Sequence, residues 1–282
     1  MPENQQAEIV VIGGGAVGCA VAYSLARAGK TDIVLLEKEE NLAAATTPQA
    51  AGLVGQVRNT VERTRLAMWS VETFSKLQEN QQASPAWRQV GSLRIALCDE
   101  RVAEFEHMKT VADEAGLEVE FIDNDAAKEK WPAMDFRRVK AVLWCPSDGY
   151  LQPSDLAMAY ARQARDMGVR IQRNSPAIDI QLDDGRVAGV ETPDGRIECQ
   201  TVVNAAGAHA WHIARCVGLE LPIVPVRHEY FVTVEAEGLD PSLPVIRIPD
   251  STLYLRAEVN ALLCGGWEPK GQSLNPAEFP LD

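Results

Sequence analysis

Residues 9–38 read IVVIGGGAVGCAVAYSLARAGKTDIVLLEK, and this stretch decides the fold. The β-branched run at residues 9–12 predicts a short strand that ends in three glycines. Helical character then continues through residues 16–28 and stops at Gly29, and a second apolar run covers residues 33–36. Strand, tight turn, helix and strand within about 30 residues form a βαβ unit, which implies parallel strands and a right-handed crossover.

The glycines have the spacing Gly13-x-Gly15-x-x-Gly18, and Glu37 stands nineteen residues beyond the last of them. Gly13 permits the tight turn, Gly15 lets the backbone approach a pyrophosphate, and Gly18 allows the helix to pack closely on the strand. Glu37 can accept hydrogen bonds from both ribose hydroxyls and would repel a 2′-phosphate, which disfavours NADP. We therefore expect a dinucleotide site, with a glycine-rich turn that binds nothing as the alternative.

The composition excludes several classes of protein. The 282 residues are 46% hydrophobic and 24% charged, which is typical of a globular chain rather than a disordered or coiled-coil one. The net charge of −13 argues against a nucleic-acid partner. Six cysteines show no C-x-x-C spacing, which favours a reducing compartment. Because residues 1–7 lack a basic secretory start, we expect a cytoplasmic protein.

Residues 9–26 are apolar, but their glycines would break a membrane helix near its middle, so we expect no membrane span. Farther along, helices are predicted at residues 60–78 and 100–115. A third is predicted at residues 155–167, with Ser154 as its N-cap.

Two Asp-Gly turns follow at residues 184–185 and 194–195. They predict a three-stranded antiparallel meander of residues 177–182, 186–192 and 196–204. Alternation over residues 224–265 predicts a larger antiparallel sheet.

The meander decides between NAD and FAD, because a plain NAD domain would continue as βαβ units. Here the chain leaves for about 100 residues and returns at VVNAAG, residues 202–207. In this order and content the sequence resembles the FAD-dependent D-amino-acid oxidase superfamily, and within it the sarcosine and dimethylglycine dehydrogenase branch. The matching segments are VVIGGGAVGCAVAYSLARAG and VLLEK within 10–38, TTPQAAGLVGQVR at 46–58, GSLRIA at 91–96, DGYLQPSDL at 148–156, VVNAAGAHAW at 202–211, PVRHEYFVT at 225–233 and YLRAEVNALLCGGWEP at 254–269.

The resemblance implies an α/β chain, α+β overall. An FAD-binding, Rossmann-like parallel sheet with a β-meander is expected in residues 1–85 and 146–222, with its C-terminal part missing. An incomplete antiparallel-sheet substrate domain is expected in residues 86–145 and 223–282. Because relatives continue for about another hundred residues, we expect a fragment, a chain completed by another polypeptide, or a truncated protein.

For the cofactor, the resemblance implies FAD held by the diphosphate turn, the ribose region, the loop that follows the flavin, the strand that passes the adenine, and the segment that closes over the cofactor. These residues are Gly13, Gly15, Ala16, Val17, Gly18, Glu37, Lys38, Thr46, Thr47, Gly52, Leu53, Ala177, Ala206, Gly207 and Trp211. Gln49 stands where several relatives carry a histidine bonded to the flavin, and an amide cannot form that bond. We therefore predict non-covalent FAD.

For catalysis, the resemblance points to His228 and Tyr254, with Arg58 and Arg256 as candidates for holding a carboxylate. An imidazole or phenol near the flavin could orient the amine and keep it unprotonated. His228 could equally be an ordinary sheet residue, and the arginines ordinary ion-pair partners. His209 and His212 could suit a metal, but no third ligand joins them at metal-binding spacing, so no metal is expected.

The activity implied is oxidation of the C–N bond of an N-methylated or secondary amino acid of the sarcosine or dimethylglycine type. Hydride would pass to the flavin, and the imine would hydrolyse. The alternative within the same class is a D-amino-acid or glycine oxidase, and the alternative from another class is a non-catalytic FAD-binding subunit or a truncated remnant. The expected partners are a small amine or amino-acid substrate and an undetermined electron acceptor, which could be oxygen, an electron-transfer flavoprotein or quinone.

Overall fold

A computed structural model describes residues 5–79 and 84–278. The helices are α1 Ala16–Arg27, α2 Val61–Gln78, α3 Asp99–Ala115, α4 Asn124–Lys130, α5 Pro153–Asp166 and α6 Ala210–Arg215. The strands are β1 Gln5–Gln6, β2 Ile9–Ile12, β3 Ile33–Leu36, β4 Leu53–Val54, β5 Ser92–Ala96, β6 Glu120–Ile122, β7 Ala141–Cys145, β8 Gly149–Tyr150, β9 Arg170–Gln172, β10 Asp179–Asp183, β11 Arg186–Thr192, β12 Gly195–Glu198, β13 Thr201–Asn204, β14 Val226–Arg227, β15 Tyr230–Val232, β16 Val245–Ile248, β17 Leu253–Glu258, β18 Ala261–Gly266 and β19 Gln272–Ser273.

A four-stranded parallel sheet with the order β13-β2-β3-β9 forms the centre of the molecule. Both of its faces are covered, which explains why β2 and β3 are continuous apolar runs. Ile9, Val11, Ile33 and Leu35 face the packed helices α1 and α5. The alternate residues of the same strands face the meander and pack against Ile180, Val190 and Ile197. The predicted βαβ unit is confirmed.

The meander differs from the prediction in its third strand. The expected run of residues 196–204 is wrong as a single strand, because β12 ends at Glu198 and a new strand begins at Thr201. β12 stays antiparallel to β11, whereas β13 leaves for the central sheet and pairs in parallel with β2. Because the strand breaks at Cys199–Gln200, residues before the break pair in the meander and residues after it pair in the central sheet. The chain therefore returns to the glycine turn at the end of β13.

A seven-stranded sheet with the order β15-β18-β17-β16-β5-β7-β6 forms the second body. The expectation of a wholly antiparallel sheet is wrong for one pair, because β16 runs parallel to β5. One face carries an apolar core that includes Leu93, Ile246 and Leu255. α3 packs on the opposite face of β5 and β7 through Phe105, Met108 and Ala112. The expected division into two domains, residues 1–85 with 146–222 and residues 86–145 with 223–282, stays a prediction.

The helices begin where local chemistry places them. The Thr60 hydroxyl accepts a hydrogen bond from the Arg63 N–H at the start of α2. α5 starts two residues earlier than expected, because Pro153 occupies its first turn and Gln152 is the N-cap. Ser154 is therefore inside the helix, and its predicted role as N-cap is wrong. No helix among the described residues is long and apolar enough to cross a membrane.

Small residues let α5 lie close to α1, and this contact provides a test of the packing. Ala157 on α5 is 0% exposed and lies in the core shared with Ala22 of α1. We predict that Ala157→Leu lowers the free energy of unfolding by about 1–3 kcal/mol, because the extra side chain has no space. The neighbouring Met158 is 50% exposed, so Met158→Leu should change it by less than about 0.5 kcal/mol. Urea denaturation measures the free energy of unfolding of both variants. Equal losses of stability in the two would contradict this packing.

Candidate functional site

The glycine turn between β2 and α1 is closed by contacts that leave no room for side chains. Gly13 has φ +112°, and a Cβ at this position would lie 2.4 Å from the Ala205 carbonyl oxygen. A Cβ on Gly18 would lie 1.8 Å from the Gly13 carbonyl oxygen. One on Gly15 would lie 3.1 Å from Thr47 Oγ1. The turn is therefore held against the end of β13, with bare backbone facing outward.

Glu37 connects this turn to the end of β3. Its Oε2 accepts a hydrogen bond of 2.7 Å from the Gly14 N–H, and its Oε1 accepts one of 2.9 Å from the Glu39 N–H. Thr47 makes a second connection, because its hydroxyl accepts a bond of 3.1 Å from the Ala16 N–H in the first turn of α1. These contacts fix the helix N-terminus, whose partial positive charge favours an anion.

Cys19 lies near the same turn but does not act as a thiolate. Burial, with the negative charge of Glu37 nearby, raises the pKa of its thiol to about 12. Its Sγ donates to the Gly14 carbonyl oxygen at 3.4 Å. Cys19 is therefore a neutral core residue.

A cavity of about 220 Å³ opens at the turn. Nine of the predicted cofactor residues line it: Gly13, Gly15, Glu37, Lys38, Thr46, Thr47, Ala177, Ala206 and Gly207. Sequence analysis missed ten further lining residues: Ile12, Leu36, Ala44, Ala45, Ser175, Pro176, Ala205, Ala208, His209 and Ile213. Ile12 and Leu36 end strands of the central sheet, and Ser175, Pro176 and Ala205 follow strands of that sheet, so the parallel order of the strands could have found these five. This cavity is called the cofactor cleft below.

Ser175 is the most informative of the missed residues. It is 1% exposed and lines the cofactor cleft, and its N–H donates to the Glu37 carbonyl oxygen at 2.9 Å. Its hydroxyl has no hydrogen-bond partner within residues 5–79 and 84–278. A buried hydroxyl without a partner is costly, so a polar group of a bound ligand fits here.

Six predicted cofactor residues do not line this cavity in the described structure: Ala16, Val17, Gly18, Gly52, Leu53 and Trp211. Gly18 instead packs against the Gly13 carbonyl oxygen of the turn. Gly52 has φ +74°, and a Cβ there would lie 2.1 Å from the Leu151 carbonyl oxygen. Trp211 packs in α6, where its ring lies 5.6 Å from the Arg215 guanidinium. The flavin roles of these residues remain predictions.

A row of mainly polar side chains crosses the seven-stranded sheet. Strand register places Arg94 opposite Arg247, Arg247 opposite Tyr254, and Tyr254 and Tyr230 both opposite Gly265. Directly paired residues share a face, so these five residues form one row, called the polar row below. A Cβ on Gly265 would lie 2.2 Å from the Tyr254 ring, so only a glycine leaves room for the ring at this position.

The polar row faces the segment that leaves the cofactor cleft. Arg94 Nη2 and Arg58 Nη1 both donate to the Val57 carbonyl oxygen, at 3.0 and 2.9 Å. A Cβ on Gly55 would lie 3.7 Å from Arg94 Nη2 and 3.9 Å from Arg58 Nη1. The predicted residue Arg58 is thus beside two arginines that sequence analysis missed, Arg94 and Arg247.

One carboxylate, Asp148, lies among these arginines. It is 0% exposed and accepts hydrogen bonds from the Gln56 N–H at 2.8 Å, from Gln56 Nε2 at 3.0 Å and from the Ser92 hydroxyl at 2.6 Å. Asp148 therefore ties residues 55–57 to the sheet. Burial, with Arg247 nearby, lowers the pKa of Arg94 to about 10, so Arg94 is still charged at neutral pH.

The two predicted catalytic residues lie near each other but do not touch through a described contact. Tyr254 stacks edge-on against Trp267, with ring centroids 5.4 Å apart, and burial raises the pKa of its phenol. His228 is exposed, and its Nδ1 lies 2.6 Å from Glu268 Oε2. This hydrogen bond lowers the pKa of Glu268. Glu268 follows Trp267 directly, so the pair lies beside Tyr254.

Arg256 is occupied by protein groups and is a poor carboxylate anchor. It is 3% exposed, and its Nε donates to the Ala51 carbonyl oxygen at 2.7 Å. Its Nη2 pairs with Glu258 at 2.5 Å, and its guanidinium lies 4.9 Å from the Tyr150 ring centroid. Arg256 links the sheet to the loop before β4. The described residues contain no group of three or more His, Cys, Asp or Glu that could hold a metal ion.

Comparison with known proteins identifies the family. A family model described as DAO, FAD dependent oxidoreductase, matches residues 8–280. The chain belongs to this family. It is 36% identical to mitochondrial dimethylglycine dehydrogenase of Rattus norvegicus over 94% of the chain and 31% of that protein. It is 35% identical to mitochondrial sarcosine dehydrogenase of Homo sapiens over 95% of the chain and 30% of that protein.

The fold is also shared with solved structures. The crystal structure of L-proline dehydrogenase from P. horikoshii matches with a TM-score of 0.88 and 27% identity, over 99% of this chain and 73% of that one. The predicted mixed α/β fold is confirmed. The DAO-family chain spans about a third of the length of the curated relatives named above. A cytoplasmic location stays a prediction.

FAD is the cofactor of the DAO family, and non-covalent binding is typical of it. The residues present fit its adenosine and diphosphate portion. The bare backbone at Gly13 and Gly15 lies where phosphates can approach a helix N-terminus, and Ser175 offers an unsatisfied hydroxyl. Glu37 lines the cleft with a carboxylate that can also accept from ribose hydroxyls.

The connection made by Glu37 can be tested directly. We predict that Glu37→Gln lowers the free energy of unfolding by about 1–3 kcal/mol, because an amide offers one acceptor oxygen to two N–H donors. FAD affinity, measured by quenching of flavin fluorescence, should fall as well. Glu40 has an exposed side chain nearby, so Glu40→Gln is the control. Equal urea midpoints for Glu37→Gln and wild type would contradict the proposed role of the carboxylate.

Proposed function

We propose that this DAO-family chain is the FAD-binding and substrate-contacting part of an oxidoreductase that acts on an N-methylated or secondary amino acid of the sarcosine or dimethylglycine type. The observation that carries the proposal is the position of the polar row. Residues 47–58 run from the cofactor cleft, at Thr47, to the arginines of the row, at Arg58. A substrate on the row would therefore lie next to a cofactor that extends from the cleft.

Similarity to enzymes named for dimethylglycine and sarcosine supports this class of substrate. Such molecules combine a carboxylate with an amine. The row supplies cationic groups at one end, Arg94 and Arg247, and the Tyr254 phenol next to them. This order of groups suits a carboxylate at the arginine end and an amine toward the tyrosine.

When bound, FAD accepts the hydride from the carbon beside the amine nitrogen. For this transfer the protein must hold the substrate amine in its unprotonated form, because only that form has the lone pair that assists hydride loss. His228 suits this role, because Glu268 fixes its Nδ1 and leaves Nε2 for a proton of the substrate. Tyr254, whose pKa is raised by burial, stays a neutral phenol that can orient the nitrogen by a hydrogen bond.

The experiment is anaerobic reduction of the flavin, read from its absorbance. The purified chain, supplied with FAD, should be bleached by sarcosine or dimethylglycine and much less by glycine or D-alanine. Acid precipitation should release all the flavin into the supernatant, because the amide of Gln49 cannot form a covalent bond to it.

Each other outcome has a distinct meaning. Faster reduction by glycine or D-alanine than by sarcosine would replace the proposal with an amino-acid oxidase. Bound FAD that no amine reduces would contradict catalysis by this chain and support a non-catalytic FAD-binding subunit. Flavin that stays in the acid pellet would contradict the non-covalent prediction.

A further inference from the structure

The seven-stranded sheet ends in a strand whose outer side is uncovered. β15 is the last strand in the sheet order, and β18 is its one strand partner in the part of the chain that the structure describes. The chain follows β18 as far as Ala236, whose N–H donates to the Asn260 carbonyl oxygen at 2.9 Å. Residues 226–235, called the open edge below, are exposed except for the half-buried Thr233. Such an edge is a template for pairing with another strand.

The backbone of the open edge alternates between the sheet and solvent. At one end, the Pro225 carbonyl oxygen accepts from the Leu274 N–H at 2.9 Å. Toward the other end, the Thr233 N–H donates to the Leu262 carbonyl oxygen at 3.0 Å. In an extended strand, odd-numbered residues between these two therefore point their backbone groups into the sheet, and even-numbered residues point them outward. The even-numbered residues offer these groups to a further strand.

The side chains of the open edge are mostly apolar. Phe231 is 65% exposed and Val234 is 86% exposed, and Val226 and Val232 are exposed as well. Contiguous exposed apolar side chains mark an interaction surface. Pairing with another strand would cover these side chains and satisfy the outward backbone groups at the same time.

We propose that the open edge pairs antiparallel with the open edge of a second copy of this chain, across a two-fold axis at Phe231. Tyr230 then lies opposite the partner's Val232, and both residues point their backbone groups outward, so each such pair exchanges two hydrogen bonds. Phe231 lies opposite the partner's Phe231 in a closely spaced pair, where an aromatic contact is favourable. One self-complementary edge therefore serves both copies.

Charge complementarity selects this register. On the face that carries Phe231, Arg227 lies opposite the partner's Glu235, and the two-fold axis repeats this contact. An axis one residue later would put Glu229 opposite the partner's Glu235, and like charges in directly opposed positions are destabilising. An axis one residue earlier would put Arg227 opposite the partner's Thr233 and lose both ion pairs. The register centred on Phe231 avoids the repulsion and keeps both attractive contacts.

The pairing also affects the polar row. Tyr230 is the outermost residue of that row, because it lies on the last strand of the sheet. The partner's Val232 would lie beside Tyr230 and add an apolar wall where the row ends. The pairing itself does not rest on the proposed function, because it needs only the open edge.

The test is sedimentation velocity of the purified chain with saturating FAD, at concentrations from about 1 to 100 µM. We expect wild type to form a species of twice the 30.8 kDa chain mass as the concentration rises. Phe231→Asp should raise the Kd of this dimer at least about tenfold, because two carboxylates then face each other across the axis.

Two further variants separate pairing from folding. Phe121 is 41% exposed on β6, the strand at the opposite end of the same sheet, so Phe121→Asp is the matched control and should leave the dimer unchanged. Val232→Pro removes one outward N–H but keeps the inward bonds to β18, and proline is tolerated on an edge strand. It should weaken the dimer, while circular dichroism shows that the fold is kept.

Exchange of charges tests the register itself. Arg227→Glu alone and Glu235→Arg alone should each weaken self-association, because each brings like charges together at both contacts. An equimolar mixture of the two variants should restore dimers, since the mixed pair has opposite charges at both contacts. Non-specific association through exposed apolar side chains would show no such restoration.

The inference is overturned if wild type stays monomeric over this range, if Phe121→Asp weakens the dimer as much as Phe231→Asp does, or if mixing the two charge variants restores nothing. Flavin reduction by sarcosine in a monomeric chain would leave the proposed function intact. A dimer that depends on Phe231, in a chain whose flavin no amine reduces, would support the pairing while the proposed function fails.

Discussion

The structure depends on a close approach of three backbone segments at the glycine turn. Gly13 lies against Ala205 at the end of β13, Gly18 lies against Gly13, and Glu37 accepts the Gly14 N–H. Side chains at these glycines would separate β2, β13 and α1. Because all three segments meet here, the strand ends, the helix N-terminus and the carboxylate face one cleft. The central sheet is therefore built around a binding site for an anionic nucleotide.

The second body of the chain is placed by contacts that start from this cleft. Thr47 bonds to the first turn of α1, and the chain then passes Gly52, which is closely packed on Leu151. It continues to Gln56, whose N–H donates to Asp148, and thus reaches the seven-stranded sheet. A short segment therefore sets the distance between the cofactor cleft and the polar row. In the proposed function, this connection would bring a substrate on the polar row next to a cofactor in the cleft.

Sequence analysis predicted the parts of the site that local chemistry determines. Gly13, Gly15, Glu37 and Thr47 all belong to contiguous motifs, and they line the cofactor cleft. The polar row was missed because it depends on register between strands that are far apart in sequence. Arg94 meets Arg247 through the parallel pair of β5 and β16, which alternation alone cannot indicate. Ser175 was missed for the same reason, since it is placed by the order of β3 and β9.

The glycine turn and Glu37 form a site that fits the adenosine diphosphate portion of FAD. The most direct measurement is calorimetric titration of the ligand-free chain with ADP and with adenosine 2′-phosphate 5′-diphosphate, which differs from ADP only in its 2′-phosphate. We expect ADP to bind and the 2′-phosphorylated nucleotide to bind at least about tenfold more weakly, because the Glu37 carboxylate repels the extra phosphate. Equal binding of the two nucleotides, or no binding of ADP, would contradict it.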